Sequence, residues 1–347
     1  MTSSLVDRLR LQAGYCRAAG SPLTADLLGG AADDLLAGGP AVALLGPLED
    51  DPPGTVPPLR LAGALHRLVL ERRAPRLAIH YPSVGGTPGE VWAAARTEVE
   101  DQLEVLQEHV ARPVQTNEVG RSTALLGGLL HLTHETGLPV RLLEVGASGG
   151  LNLLFDHYAH DVAEGVVLGD PASSVVLRRP WQGALPPPAR VEVVDRLGCD
   201  PAPLDPGSTE DRLTLTSYVW ADQVDRFERL RGALDVASRH PQRVERLPAS
   251  AFLERELAEP RTGLLTVVWH SVVRQYLAPQ EREDMTRLLE EAGRRATPRA
   301  PLAHLSLEPY RFGTGDTRFH LTLITWPGGS SRVLAEAHGH GPPVVWR

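Results

Sequence analysis

The segment Val140 to Asn152 reads VRLLEVGASGGLN, an apolar run that ends in an acid and continues into a glycine cluster. Leu142, Leu143 and Val145 follow one another without alternation, which suits a strand buried on both faces inside a helix-covered parallel sheet. Gly146, Gly149 and Gly150 let the backbone turn tightly and approach a ligand without Cβ interference. Leu151–His157 is expected to start the following helix. Such a turn either packs a helix onto a sheet or cradles a ligand, and a lone glycine cluster does not separate the two.

The pattern on either side sets the architecture. Before the turn the chain reads as mostly helical. Helix-period apolar positions run from Ser4 to Ala19, from Leu59 to Arg73 and from Gly89 to Val110, with a further helix from about Glu118 to Thr136. Gly137 and Pro139 stop that last helix, so a division is expected near residue 137: a helical cap domain over 1–137 and an α/β domain over 138–347. After the turn, strands and helices alternate, as in a doubly wound sheet. Strands are expected at Val140–Val145, 190–199, 243–247, 264–269 and 302–307. Helices are expected over 218–240 and from Pro279 to about Arg295. Phe319–Trp326 and 332–337 flank Pro327-Gly328-Gly329-Ser330 and read as a closing antiparallel hairpin.

Composition excludes several chemistries. All 35 basic residues are arginine, so a pyridoxal phosphate Schiff base and the lysine-dependent phosphate loop of NTPases are both disfavoured. The net charge of −8 argues against a general nucleic-acid binder. Cys16 and Cys199 are too few for a disulfide framework, and with no membrane-length apolar run a cytoplasmic protein is expected. His338-Gly339-His340 has too few neighbouring ligands to define a metal site, and no metal is expected.

Ligands of open α/β sheets sit beyond the carboxyl ends of the strands, where strand order reverses. Strand ends therefore supply the candidates. Asp200 closes the second strand and is preferred over Asp170 as an acid for ribose hydroxyls, although Asp170 lies at the more usual sequence distance. Asp200 reads equally well as a turn acid before Pro201. His270, after the fourth strand, is a candidate general base, with a backbone-bonded strand-end residue as the plainer alternative. Tyr276 and Glu308 point to the same edge. In QTNEVGR, 115–121, Asn117 and Glu118 suit a helix start, whereas Arg121 calls for an anionic partner on a substrate or on Glu118 or Glu144.

The spacing Glu144-x-Gly146-x-Ser148-x-Gly150 resembles the first motif of S-adenosylmethionine-dependent methyltransferases. That resemblance implies a Rossmann-like, methyltransferase-type sheet. Glu144, Gly146, Ala147, Ser148, Gly150, Asn152 and Asp200 would contact adenosylmethionine, His270, Glu118 and Arg121 would serve catalysis, and Asn117 and Tyr276 would bind substrate. A dinucleotide fingerprint would need glycines at Ser148 and Leu151 instead. Taken over nearly its whole length, the chain is similar to the bacterial family of unknown function numbered 2332. Ser21-Pro22, His80-Tyr81-Pro82-Ser83, QTNEVGR, LLEVGASGGLNLLFDHY at 142–158, RLGCDPAPLD at 196–205 and VWADQ at 219–223 carry that likeness, with a C-terminal HGH and Trp346. Three functions follow as expectations: a small-molecule methyltransferase first, a non-catalytic ligand-binding module second, and a nicotinamide-dependent oxidoreductase third. The acceptor and the oligomeric state are not legible.

Overall fold

The computed structural model describes residues 4–310 and 317–347. Contacts group them into a helical unit, residues up to Thr116 with Thr209–Glu228, and a sheet unit, Asn117–Ser208, 229–310 and Thr317–Arg347. The division therefore falls earlier than the expected one near residue 137. The helix before the first strand belongs with the sheet, because its Leu125, Leu129 and Leu132 share a core with Leu142, Val267 and Leu305.

The helical unit contains α1 (Leu5–Ala18), α2 (Pro22–Leu36), α3 (Ala41–Leu45), α4 (Pro57–Leu70), α5 (Pro75–Ala78), α6 (Val91–Asp101) and α7 (Leu103–Val110). Pro22 and Pro57 open α2 and α4, where the missing N–H costs nothing and the fixed φ is already helical. Leu28, Leu61, Leu65, Leu68 and Leu106 form the centre of its core. The single helix expected over Gly89–Val110 is broken at Gln102, whose φ of −132° leaves the helical region. Its side-chain amide donates instead to the Arg73 carbonyl at 3.1 Å and to Glu98 at 2.7 Å. No single helix among the described residues is long and apolar enough to cross a membrane.

The sheet unit begins with α8 (Ser122–Thr136) and β1 (Val140–Val145). β1 lies at the expected residues and is buried throughout. Leu151–His157 is a 3-10 turn rather than the start of an α-helix. Tertiary bonds hold it in that form: Arg196 clamps Asp156 through both guanidinium nitrogens at 2.7 Å and also donates to the Leu153 carbonyl at 2.6 Å. The chain then builds β2 (Ala159–Ala163), β3 (Val166–Gly169) and β4 (Val176–Arg178), which make a small sheet in the order β3-β2-β4, followed by β5 (Trp181–Gly183). The insertion before the second core strand, β6 (Val193–Asp200), is thus larger than its prolines suggested.

α9 (Thr209–Ser217) joins the helical unit, where Arg67 of α4 donates to the Glu210 carbonyl and the Thr214 hydroxyl. α10 runs only over Val224–Arg239, so residues 218–223 of the expected long helix form a turn. The remaining elements are β7 (Val244–Arg246), α11 (Ala249–Glu256), β8 (Leu265–Ser271), α12 (Pro279–Arg295), β9 (Leu302–Pro309), β10 (Phe319–Trp326), β11 (Ser330–His338) and β12 (Gly341–Trp346).

The main sheet has nine strands in the order β5-β12-β11-β10-β9-β8-β1-β6-β7. β7, β6, β1, β8 and β9 pair in parallel, and β10 to β12 continue antiparallel from β9. The expected hairpin is β10 with β11, and β12 and β5 extend it. Leu142, Trp269 and Leu305 pack on one face with α8, while Leu143, Val268, Phe252 and Met285 pack on the other with α11 and α12. From β1 the chain goes first to β6 and β7 on one side, then returns to β8 and β9 on the other. The reversal lies between β1 and β8, and their carboxyl ends define where to look for chemistry.

Candidate functional site

β1 delivers Glu144 to this reversal point, where it is paired in register with Trp269 of β8. Glu144 is 2% exposed. Burial pushes its carboxyl up to about 8, and the Asn152 amide, the Trp269 indole and the Arg121 charge offset only part of that cost. Glu144 Oε2 and Asn152 Oδ1 are buried without a hydrogen-bond partner, and Trp269 Nε1–H, although it favours the charged carboxyl, makes no well-aligned bond to it. Such atoms around one carboxyl are notable, since each buried unsatisfied group costs about 1–3 kcal/mol.

The glycine turn after Glu144 is satisfied from within. The Gly146 and Ala147 amides both donate to the Cys199 carbonyl, Ser148 N–H donates to Asp200 Oδ2 at 3.0 Å, and Gly150 N–H donates to the Ala147 carbonyl. Leu151 N–H donates to Asn117 Oδ1 at 3.0 Å. The space a Cβ would take at Gly146, φ +69°, is filled by Val273, and that at Gly150, φ +71°, by Val244. Ser148 itself sits at φ +52°, a left-handed conformation that a residue with a Cβ seldom adopts.

Asp200 stands at the carboxyl end of β6, beside this turn. Its other oxygen accepts from Ala202 N–H at 2.8 Å. Asp170 follows β3 of the small sheet, is exposed, and accepts from Ala172 N–H two residues on. Of the two acids weighed from the sequence, Asp200 is the one at a main-sheet strand end. Its bonds to Ser148 and Ala202 support the turn-acid reading.

QTNEVGR lies at the same end of the sheet. Asn117 ties down the glycine turn, and Glu118 Oε1 accepts from Gly120 N–H at 3.0 Å, capping the 3-10 turn Val119–Arg121. Arg229, on α10, places its guanidinium 4.0 Å from Glu118. Arg121 is buried and donates to the carbonyls of Gly339, at 2.8 Å, and Ser271, at 3.3 Å. The last residue of β8 and the residue after β11 thus supply two of its acceptors, and its charge also acts on Glu144, one of the two acids expected as a partner.

His270 points to the opposite face of the sheet and has no exposure. Its Nδ1 lies 2.7 Å from Glu308 Oε1 and its Nε2 lies 2.9 Å from His304 Nε2. Since Nδ1 must donate to the carboxylate, one hydrogen is shared between the two Nε2 atoms. Burial alone would raise the Glu308 carboxyl, but His270 and the Val273 and Arg274 amides carry it below its ordinary value. Burial, reinforced by His270, drives His304 well below the usual histidine range. The chain leaves β8 through Val272 at φ +55°, and Glu308 accepts from the amides of the next two residues, Val273 and Arg274. Tyr276 follows in a 3-10 turn, 39% exposed.

The structure therefore brings Asn117, Glu118, Arg121, Glu144, Gly146, Ala147, Ser148, Gly150, Asn152 and Asp200 to one end of the sheet. His270 is held apart from them. Sequence reasoning missed Trp269, Arg229 and His304. Trp269 was legible only once β1 and β8 were known to pair in register, because nothing local marks it as a partner of Glu144.

The family model described as an uncharacterized protein conserved in bacteria, DUF2332, matches residues 6–346. No curated protein and no solved structure matches the chain. The chain belongs to the DUF2332 family.

Proposed function

We propose that the sheet unit binds a small ligand bearing an ammonium group at the β1–β8 reversal, and that this ligand is adenosylmethionine, used to methylate a small molecule. The carrying observation is the pair of buried acceptors without partners, Glu144 Oε2 and Asn152 Oδ1, at the carboxyl end of β1. When Glu144 is ionised both atoms are acceptors only, and an ammonium offers the donors they then lack and holds the group as a paired carboxylate. The strand order around β1, with antiparallel strands beyond β9, suits a Rossmann-like, methyltransferase-type sheet.

The acid end of the motif fits the amino-acid part of the cofactor. The glycine end fits less well as a cradle, because Val273 and Val244 fill the space beside Gly146 and Gly150. Bound adenosylmethionine supplies an electrophilic methyl group. The contribution of this chain is orientation, with Glu144 and Asn152 fixing the amino-acid end so that an acceptor meets the methyl in line. His270 has no place as a general base in this reading, since its ring is enclosed by Glu308 and His304. Two buried free cysteines suit a reducing cytoplasm.

The turn amides that are already satisfied favour a second reading, a ligand-binding module without turnover. Calorimetry with adenosylmethionine, adenosylhomocysteine and NAD on the full chain separates the readings. The first two ligands should bind and NAD should not. Glu144→Gln should weaken both by roughly 10- to 100-fold, the worth of a charge-assisted hydrogen bond. Binding without methyl transfer to any of a broad acceptor panel supports the module, and failure of both adenosyl ligands to bind removes both adenosyl-based readings.

A further inference from the structure

Three segments singled out in the sequence have no part in the sheet unit's site: Ser21-Pro22, His80-Tyr81-Pro82-Ser83 and VWADQ. All three converge in the helical unit. Asp222 accepts from Ser21 Oγ at 2.5 Å and from Leu23 N–H at 2.9 Å, which seats the start of α2. Ser83 N–H donates to the Ala221 carbonyl at 2.9 Å. Between these segments lies His66 of α4, fully enclosed apart from one wall of a cavity that it shares with Leu23, Leu27, Tyr81 and Trp220.

Two backbone carbonyls, Ser217 and Val219, take hydrogen bonds from His66, and the nearer contact favours one tautomer. Nδ1 lies 3.2 Å from the Ser217 carbonyl, an acceptor only, so Nδ1 carries the hydrogen. Nε2 is then an acceptor, and the group facing it, at 2.9 Å, is Ser83 Oγ. In that tautomer serine is the donor. Burial holds the imidazole down to about 4, so the acceptor form persists throughout the neutral range. A hydroxyl donating to a neutral imidazole, whose other nitrogen is oriented by a third group, is the arrangement of an activated nucleophile. Ser83 is half-buried and sits second in the 3-10 turn Pro82–Val84.

We propose that Ser83 is a nucleophile and His66 its base, acting on small activated esters. The oxygen of Ser83 forms a bond to the acyl carbon as the ester C–O bond breaks. Its proton passes to His66 Nε2 and then to the departing alkoxide, and water later releases the acid by the reverse relay. A carbonyl, rather than a carboxylate, behind Nδ1 makes His66 a weak base, so the expected turnover is slow.

The test treats the full chain with a fluorophosphonate, which forms an Oγ–P bond as fluoride leaves with the proton. Mass spectrometry of the digest should place one adduct on Ser83, Ser83→Ala should carry none, and the wild type alone should release nitrophenol from p-nitrophenyl butyrate. His66→Gln should slow labelling by about tenfold or more, the usual range of general-base assistance. If that variant fails to fold, the wild-type labelling rate supplies the same information by staying level from pH 8 to 5 and falling as His66 protonates. No adduct on Ser83, or equal labelling with and without the imidazole, overturns the proposal. A pair that only fastens the turn to α4 would lose unfolding temperature in Ser83→Ala without ever labelling.

Discussion

Replacing Glu144 with glutamine should make the sheet unit more stable at alkaline pH and change it little at acid pH. Burial raises the Glu144 carboxyl from 4.5 to about 8, and each pKa unit corresponds to about 1.4 kcal/mol. The full shift is therefore worth on the order of 5 kcal/mol as an upper limit. Between those two values the folded state holds a proton that the unfolded chain releases, so stability is complete below pH 4.5 and drains away as pH rises through about 8. Glutamine resembles the protonated acid in shape and never ionises, so the variant escapes this loss. Two compact units need not unfold together, which calls for a local probe. Hydrogen exchange of the β1 peptide, 140–145, at pH 5 and pH 9 with correction for intrinsic rates, reports opening of the sheet unit alone. The variant should gain several kcal/mol over the wild type at pH 9 relative to pH 5. A difference that stays flat within about 1 kcal/mol, below the shift's expected reach, or that runs the other way, refutes the burial argument.

Gly146→Ala adds a Cβ 2.3 Å from Val273 at a left-handed backbone position and should cost roughly 2–4 kcal/mol. Pairing it with Val273→Ala should recover the clash but not the backbone term, as a double-mutant cycle of unfolding free energies would measure. Arg196→Ala removes both bonds to Asp156 and should destabilise the 3-10 turn by about 1–3 kcal/mol, seen as faster exchange over 151–157 and unchanged exchange in α4. His66 and His160 are each lowered by burial from 6.5 to about 4, so both stabilise the fold above pH 6.5 and lose that contribution as pH falls toward 4. His160→Gln should flatten this acid limb in the sheet unit only, when exchange at pH 7 and pH 4.5 is compared unit by unit.

The sheet was legible wherever apolar runs decide the element by themselves. β1 was found residue for residue and β8 and β9 within a few positions, because burial on both faces leaves little alternation to misread, while the β10–β11 hairpin was marked by its alternation and its Pro-Gly-Gly-Ser turn. Elements that depend on distant partners escaped. Leu151–His157 has helix-compatible residues, yet the Arg196 clamp on Asp156 holds it as a 3-10 turn. Gln102 breaks a continuous helical pattern because its amide finds Arg73 and Glu98. At the site, the residue types of QTNEVGR and the glycine turn pointed to the right end of the sheet. Their partners were invisible: Arg121 meets two carbonyls, Trp269 lies beside Glu144 through strand register, and Val273 occupies the space that glycine leaves. His270 was misplaced for a simple reason, since a strand end has two faces and its alternation puts His270 opposite Trp269.

Both loops that flank the β1–β8 reversal share a physical character. Each holds one non-glycine residue at positive φ, Ser148 after β1 and Val272 after β8, and beside each stands a carboxyl with one unpartnered buried oxygen, Glu144 and Glu308. Left-handed conformations cost on the order of 1–3 kcal/mol each and persist only where neighbouring bonds over-determine them. Here the bonds are identifiable, Asp200 on the Ser148 amide and Glu308 on the Val273 and Arg274 amides. A turn that only packed elements together would gain by relaxing to ordinary dihedrals and pairing its acids. The chain instead keeps strain and unsatisfied acceptors together at the reversal of strand order, where an open α/β sheet takes its ligand, and it is this coincidence, more than the glycine spacing, that argues for a ligand there.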